Sequence, residues 1–292
     1  MYKTERRKLI IPYLLPALIL YTLFFTVPVL QSPYYSLTEW TGISEPAFVG
    51  LENYAKLIED ERWWMAVRNT VLYALMHGVI GLSLGLLFAV AIKNLRRSVR
   101  PIKFVVFMPS ILPIAVIALL WLFIYNPQFG LLNGMLRMVG LGDWTKAWLG
   151  DNATVLPAIT LAAIWAGLGG TMILFLAGLQ KIPKEFYEAA TIDGAGDWAL
   201  FRHITWPLLW EITRIMIILS LIGGLQAFGL FYVISGGFLR DASQVTGTYL
   251  YMVAFKENRM GYATAIGVVL FAIIMVLTVV TNRVLRRETV EY

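Results

Sequence analysis

Cysteine is absent from all 292 residues, so the chain can hold no disulfide framework and no thiolate metal site. Charge is scarce. Only 14% of residues carry one and 59% are hydrophobic, a balance foreign to soluble globular domains. Two soluble domains would fit the length but not this composition. A phosphate-binding loop needs a Gly-x-x-x-x-Gly-Lys-Ser/Thr run, whose backbone N–H groups cradle the phosphates, and none occurs. There is no His-Glu-x-x-His pair and no Gly-x-Ser-x-Gly elbow, and the two histidines, His77 and His203, lie on different segments. These absences exclude an ATPase acting alone and the common zinc and serine hydrolases. The net charge of +6 comes without an aromatic-interleaved basic patch, which argues against a nucleic-acid partner.

What is present is six long apolar runs: Leu9 to Val29, Val71 to Ile92, Phe104 to Tyr125, Val155 to Leu179, Ile215 to Ile234 and Ala263 to Thr281. A hydrocarbon core about 30 Å thick takes roughly 20 helical residues. Barrel strands would be shorter and strictly alternating, so helices are left as the way to satisfy the backbone in lipid. The runs predict spans over about 9–29, 71–92, 104–125, 155–179, 212–234 and 263–285. The fold class is therefore an all-α polytopic membrane protein, a single transmembrane domain over 1–292. The first run is longer than the roughly 7–15 residues of a signal-peptide core and lacks a small-residue cleavage site, so it reads as retained.

Basic residues set the expected orientation. Fifteen lie at the N-terminus, after the second span, between spans four and five, and in the tail, against eight in the alternate segments. Both termini and the 181–207 segment are accordingly expected in the cytoplasm. In the segment before the second span, Leu51, Tyr54, Ala55, Leu57 and Ile58 recur at helical spacing, which predicts an interfacial helix with Trp63 and Trp64 at headgroup depth.

The 181–207 segment is a polar insert. Pro183 suits a helix start, Glu185 and Glu188 complement the N-terminal dipole, and Gly194 marks a stop. Asp197 is placed to cap a second short helix carrying Trp198, Phe201 and Ile204 at three-residue spacing. Glu185, Glu188, Asp193 and Asp197 outnumber Lys184 and Arg202, whereas a lipid-facing helix favours Lys and Arg. The bias points to a protein partner, with Ala189 and Ala190 allowing close approach.

Within the spans, no Asp or Glu occurs, which counts against a proton-coupled transporter. His77 reads as a neutral, hydrogen-bonded packing histidine, and Glu211 with Arg214 as a structural ion pair three residues apart. Trp121, Tyr125, Trp165, Gln226, Phe228, Phe231 and Tyr232 supply aromatic faces and an amide that would suit a sugar, and they would equally suit helix packing. Gly167, Gly169, Gly170, Gly223 and Gly224 are expected to allow close helix crossing.

Glu188-Ala189-Ala190, three residues, Gly194, nine residues, then Ile204-x-x-Pro207 resembles the EAA loop of ABC importer permeases, with Trp206 where that family usually has Leu. Gly50-Leu51-x-Asn53-Tyr54, Asn69-Thr70, Leu225 to Phe228 with Gly236-Gly237, and Gly261-Tyr262-Ala263-x-Ala265 resemble its carbohydrate-uptake branch, the maltose and glycerol-phosphate permeases. Phe238-Leu239 departs from that branch, which often continues Gly-Pro. The resemblance implies a type I importer (MetI-like) fold and a coupling helix seated on a separate ATPase. It implies that Glu188 pairs with a basic group there and that Gly194 permits the sharp turn. It also implies a second related permease subunit, two ABC ATPase subunits holding ATP and Mg, an extracytoplasmic solute-binding protein and lipid as partners. This chain itself would bind no cofactor and catalyse no reaction, in a bacterial or archaeal cytoplasmic (inner) membrane. The alternatives are an ion-coupled secondary transporter and an importer for a non-sugar solute such as glycerol phosphate.

Overall fold

A computed structural model describes residues 13–95, 99–236 and 241–286. The expected topogenic residues Lys3, Arg6, Arg7, Lys8, Arg96, Arg97, Arg240 and Arg287, and the Gly237 to Leu239 stretch, lie outside them. Among the described residues the only sheet is a two-stranded hairpin, Thr38–Glu39 antiparallel to Ala47–Phe48. Also among the described residues, five helices are long and apolar enough to cross a membrane: Tyr13–Tyr35, Glu61–Lys93, Val155–Lys181, Trp210–Ile234 and Met260–Leu285. A bent pair, Arg100–Ile111 with Ile114–Ile124, supplies a sixth if it counts as one span.

The helices depart from the hydropathy boundaries for identifiable reasons. The first runs past Val29 to Tyr35, carrying Pro28 and Pro33. A π-helical turn over Thr22–Thr26 precedes Pro28 and moves the carbonyls its ring would strike. The expected interfacial helix is a separate piece, Glu52–Glu59, ended by the extended backbone of Asp60. A new 34-residue helix, Glu61–Asn94, then begins, and Trp63 and Trp64 lie in its first turn. At 1.5 Å per residue it is about 50 Å long, well beyond the hydrocarbon core. Trp63 is buried in protein at 2% exposure, and only Trp64 is open as headgroup depth would require.

The third span is broken. Pro113 drives Leu112 out of the helical region to ψ 139°, and the halves meet at 102°. The fifth is interrupted at 226–228, where Trp210–Leu225 ends and Gly229–Ile234 begins.

The chain forms two compact units. The first comprises residues 1–61 and 250–273. Its polar clasp gathers the family-like motifs. Buried Asn53 donates through Nδ2 to the carbonyls of Ser36 and Thr38, both at 2.9 Å, and the Tyr54 and Ser36 hydroxyls stand 2.6 Å apart. The Tyr262 hydroxyl donates to Asp60 Oδ2 at 2.7 Å, and the Gly261 N–H to the Trp40 carbonyl at 3.0 Å. A Cβ on Gly261 would collide with the Thr38 carbonyl oxygen.

Among the described residues of the second unit, 62–249 and 274–292, are two apolar cores. One packs Tyr73, Ile117, Trp121, Tyr125, Ile159 and Phe231, and the other Ala89, Ile92, Met172, Phe175, Leu179 and Leu209. Gly169 and Gly224 do allow close crossing, against the Phe107 backbone and Ala74 respectively, while Gly170 and Gly223 meet nothing within 4 Å. Asn69 Nδ2 donates to the carbonyls of Asp241 and Gln244 at 2.9 Å, and Thr70 Oγ1 accepts from the Thr246 N–H at 2.9 Å. The Asn69-Thr70 pair thus fastens the 241–246 loop to the second span.

These contacts predict a contrast between two glycines. Gly261→Ala must push the Thr38 carbonyl away and should destabilise by about 1–3 kcal/mol or more. Gly134→Ala, in the Leu131–Met138 helix with nothing within 4 Å, should be neutral or stabilise by a few tenths to about 1 kcal/mol. Thermal unfolding of the two variants in detergent checks this.

Candidate functional site

The polar insert folds as two helices about a glycine turn. Pro183 is the N-cap at ψ 141°, one residue before the position expected for it, and Lys184–Ile192 follows. Gly194 takes φ +82°, the left-handed conformation only glycine adopts freely. Its N–H donates to the Thr191 carbonyl at 3.1 Å and that of Ala195 to Ala190 at 2.9 Å, the paired bonds of a Schellman motif. Asp197 does not cap the second helix. Gly196 holds that place with no side-chain capping bond, and Asp197 is the first residue of Asp197–Leu200, where its charge still complements the dipole. The helix loosens into a π-turn over Phe201–Thr205 and re-tightens over Trp206–Leu208, which shifts Ile204 from the simple three-residue spacing.

Glu188, Ala189, Gly194 and Pro207 are exposed, and Ala190 and Ile204 are half-buried. Glu188 has no ion pair among the described residues. It lines a cleft of about 520 Å³ with Asp197, Leu200, Phe201, Lys93 and Lys184. Trp198 and Phe201 stack at 5.8 Å, and Trp206 sits between Phe201 at 6.4 Å and Trp210 at 5.8 Å. An uncommitted carboxylate beside open apolar and aromatic surface is what a docking site for a basic, partly apolar protein surface requires.

The residue that fixes this insert, Tyr187, went unread in the sequence. Lys93 Nζ stands 3.9 Å from its ring centroid, and its hydroxyl is 3.1 Å from Thr205 Oγ1. One side chain therefore joins the insert to the end of the Glu61–Asn94 helix and to the start of the chain's return toward Trp210. Only proximity in space reveals this, since the three residues share no sequence pattern. Further on, Arg214 Nη2 meets Glu211 Oε1 at 2.6 Å, the expected pair.

The second candidate region lies where the two broken helices meet. The breaks at 112–113 and 226–228 border a cavity of about 470 Å³ lined by Tyr73, His77, Ser110, Gln226, Phe228 and Phe231, among others. Gln226 is exposed into it, and Phe228 stacks on Tyr232 at 5.3 Å. Trp121, Tyr125 and Trp165 do not line it. They pack on one another, with Trp121 4.9 Å from Tyr125 and 5.8 Å from Trp165. The Tyr125 hydroxyl is committed to the Ala158 carbonyl at 2.9 Å. Packing thus accounts for these three, and for Phe231 in part, because an apolar ring in a closed core gains more from burial than from facing a cavity. Ser110 was also unread. Its hydroxyl donates to the Ala166 carbonyl at 2.7 Å and accepts the Gly170 N–H at 3.3 Å, and the nearby Pro109 and Pro113 were the signal that could have exposed it. His77 is not the hydrogen-bonded packing residue expected, since its buried Nδ1 has no partner among the described residues.

The class this arrangement defines is a polytopic helical permease with broken spans around a largely apolar cavity that carries a few polar groups. Residues 81–290 match the family of the binding-protein-dependent transport system inner membrane component, and the chain belongs to that family. It is 39% identical to the probable ABC transporter permease protein YurN of Bacillus subtilis (strain 168), over 92% of this chain and 94% of that one. It is 35% identical to the diacetylchitobiose uptake system permease protein NgcF of Streptomyces coelicolor, over 89% and 77% respectively. The fold is shared, at a TM-score of 0.86 and 23% identity over 99% of both chains, with a bacterial ABC transporter involved in import of the acidic polysaccharide alginate. The protein is a multi-pass inner membrane transport component, and its relatives are transporter subunits rather than enzymes.

Removing the Tyr187 anchor should loosen the insert and nothing else. Tyr187→Ala removes a cation–π contact of about 0.5–1 kcal/mol and a hydrogen bond of about the same size. Amide hydrogen exchange over Lys184–Ile192 should rise roughly tenfold while that of Val155–Lys181 is unchanged. Tyr187→Phe, which keeps the ring, should give a smaller rise.

Proposed function

We propose that this chain is one permease half of an ATP-driven, binding-protein-dependent importer for a carbohydrate. In this reading the 181–207 insert faces the cytoplasm with both termini, and Glu188, Ala189, Ala190, Gly194, Ile204 and Pro207 form the docking element for a separate ATPase. The observation that carries it is the uncommitted Glu188 carboxylate beside the exposed cleft of Phe201 and Asp197, on a helix tied through Tyr187 to the Glu61–Asn94 span and to Thr205 in the insert's own return. A partner's cation would pair with Glu188 at the surface, and a displacement of the insert would reach the Glu61–Asn94 and Trp210–Leu225 helices together.

The remaining partners follow from the same reading. A second, related permease would complete the pathway, two ATPase subunits would carry ATP and Mg, and a binding protein would deliver the solute. The cavity between the helix breaks is the solute's station in the membrane. Gln226 offers a donor and an acceptor for hydroxyls, and Phe228, backed by Tyr232, offers a ring face on which a sugar can stack. Trp121, Tyr125 and Trp165 hold the wall behind it. The carbohydrate class draws support from relatives named for diacetylchitobiose and alginate.

Reconstitution with its cognate partners in liposomes tests the proposal. Uptake of an oligosaccharide should require ATP and the binding protein, and excess glycerol phosphate should not compete. Uptake driven by an ion gradient without ATPase subunits would refute it. Glu188→Lys should leave the helices folded while abolishing ATPase co-purification and transport. Gly194→Pro should do the same, because proline is locked near φ −65° and cannot take +82°. Normal association in either variant would remove the docking role.

A further inference from the structure

A second, smaller cavity of about 220 Å³ adjoins the first, and the two share only His77 and Gly167 in their linings. Their relative placement is consistent on three helices. Along Glu61–Asn94 the larger cavity touches Tyr73 and His77, and the smaller one His77, Gly81 and Leu82. Along Val155–Lys181 the larger touches Ala163, Ala166 and Gly167, whereas the smaller starts beside it at Ile164 and runs on to Thr171 and Leu174. Along Trp210–Leu225 the larger touches Gly223 and the smaller Met216 and Ser220. On each helix the smaller cavity extends about one to two turns further toward the insert. The two cavities are successive chambers along the helix axes, divided at His77 and Gly167.

The partition is polar and unfinished. His77 Nδ1 and Ser220 Oγ, on the wall of the smaller chamber, are both buried with no hydrogen-bond partner among the described residues. Buried polar atoms left unpaired are destabilising, so their retention points to a partner supplied from elsewhere. Opposite the imidazole stands a glycine. A Cβ placed on Gly167 would lie 3.9 Å from Nε2, so any larger side chain would fill the gap the ring faces.

We propose that His77 and Gly167 form the gate between the two chambers, with the imidazole hydrogen-bonding a hydroxyl-bearing solute as it passes toward the insert side. The proposal rests on the carbohydrate-importer reading. The ring supplies one donor and one acceptor to the solute, Gly167 supplies the width, and Ser220 takes up the hydroxyl next along the route.

The assembled transporter in proteoliposomes tests it, with ATP-driven uptake of the binding protein's sugar as the readout and subunit co-purification as the folding control. His77→Leu should lower uptake about tenfold, the worth of one hydrogen bond to a buried group. Gly167→Leu should lower it at least as far by occlusion, and His77→Gln, which keeps a donor and an acceptor, should retain most of it. Uptake at the wild-type rate in both leucine variants would overturn the gate and leave the importer reading standing. Absence of ATP-driven uptake by the wild-type assembly would overturn both. The chain has no native cysteine, so His77→Cys gives a measurement independent of transport. A small water-soluble thiol reagent should label it during turnover, and saturating sugar should slow the labelling. A cysteine at 77 that stays inert in every state would also overturn the gate.

Discussion

A backbone amide in hydrocarbon has only protein to bond to, and this one constraint governs how the chain can be built. Unbroken helices satisfy it trivially. The informative places are those where the helix stops partway along a span, because each must find replacement partners. At the 112–113 break, Leu112 N–H falls back on the Pro109 carbonyl at 3.2 Å, and Ser110 ties the preceding turn to the Ala166 carbonyl. At the 226–228 break, Ala227 N–H reaches Gly224 at 3.3 Å, and the Thr246 hydroxyl reaches the Leu225 carbonyl at 3.3 Å. Irregular backbone here is either bonded or facing a cavity, and the two breaks pack around the same one. A continuous pair of helices would have buried that volume under apolar side chains.

The same constraint explains why so much of the fold was legible. Helices forced to be long and apolar announce themselves by hydropathy, and Val155–Lys181 and Met260–Leu285 begin within a few residues of their expected starts. The insert was legible for another reason. Its Pro183 start and its Gly194 stop depend on local backbone geometry, which residue type reports directly. What hydropathy could not report was direction. An apolar run looks the same straight or bent by 102°, so the third span hid its break although Pro113 marked it. Tertiary choices were equally hidden. Trp121 and Gln226 looked alike as polar or aromatic residues at mid-span, and only packing separates a core indole from an amide opening into a cavity.

The motifs that mark a resemblance need not be the residues that handle solute. Asn53, Asn69, Thr70 and Gly261 bond or abut backbone of their own chain. Asn53 and Asn69 pin connections between spans with side-chain amide donors, Thr70 accepts a loop N–H, and Gly261 donates its own backbone N–H to Trp40. Their chemistry is specific because a buried carbonyl accepts a bond only from a correctly placed donor.

That distinction bears on how motion could pass along the chain. The insert is stiff at its turn, where the Schellman bonds fix Gly194, and Tyr187 anchors it to Lys93 of the Glu61–Asn94 helix and to its own return at Thr205. It contributes little apolar burial of its own, so its position depends on few contacts and a moderate force can bias it. The helices on either side of it carry cavity residues: Tyr73 and His77 on one, Gly223 on the other, with Gln226 at its end. Because Trp210–Leu225 stops at Leu225 and does not run on to Ile234, a tilt at its insert end need not move the Gly229–Ile234 helix, which packs in the same core as Ile117 and Trp121. The break thus separates a segment continuous with the insert from one packed in the core behind the cavity, and Gln226 stands at the joint between them.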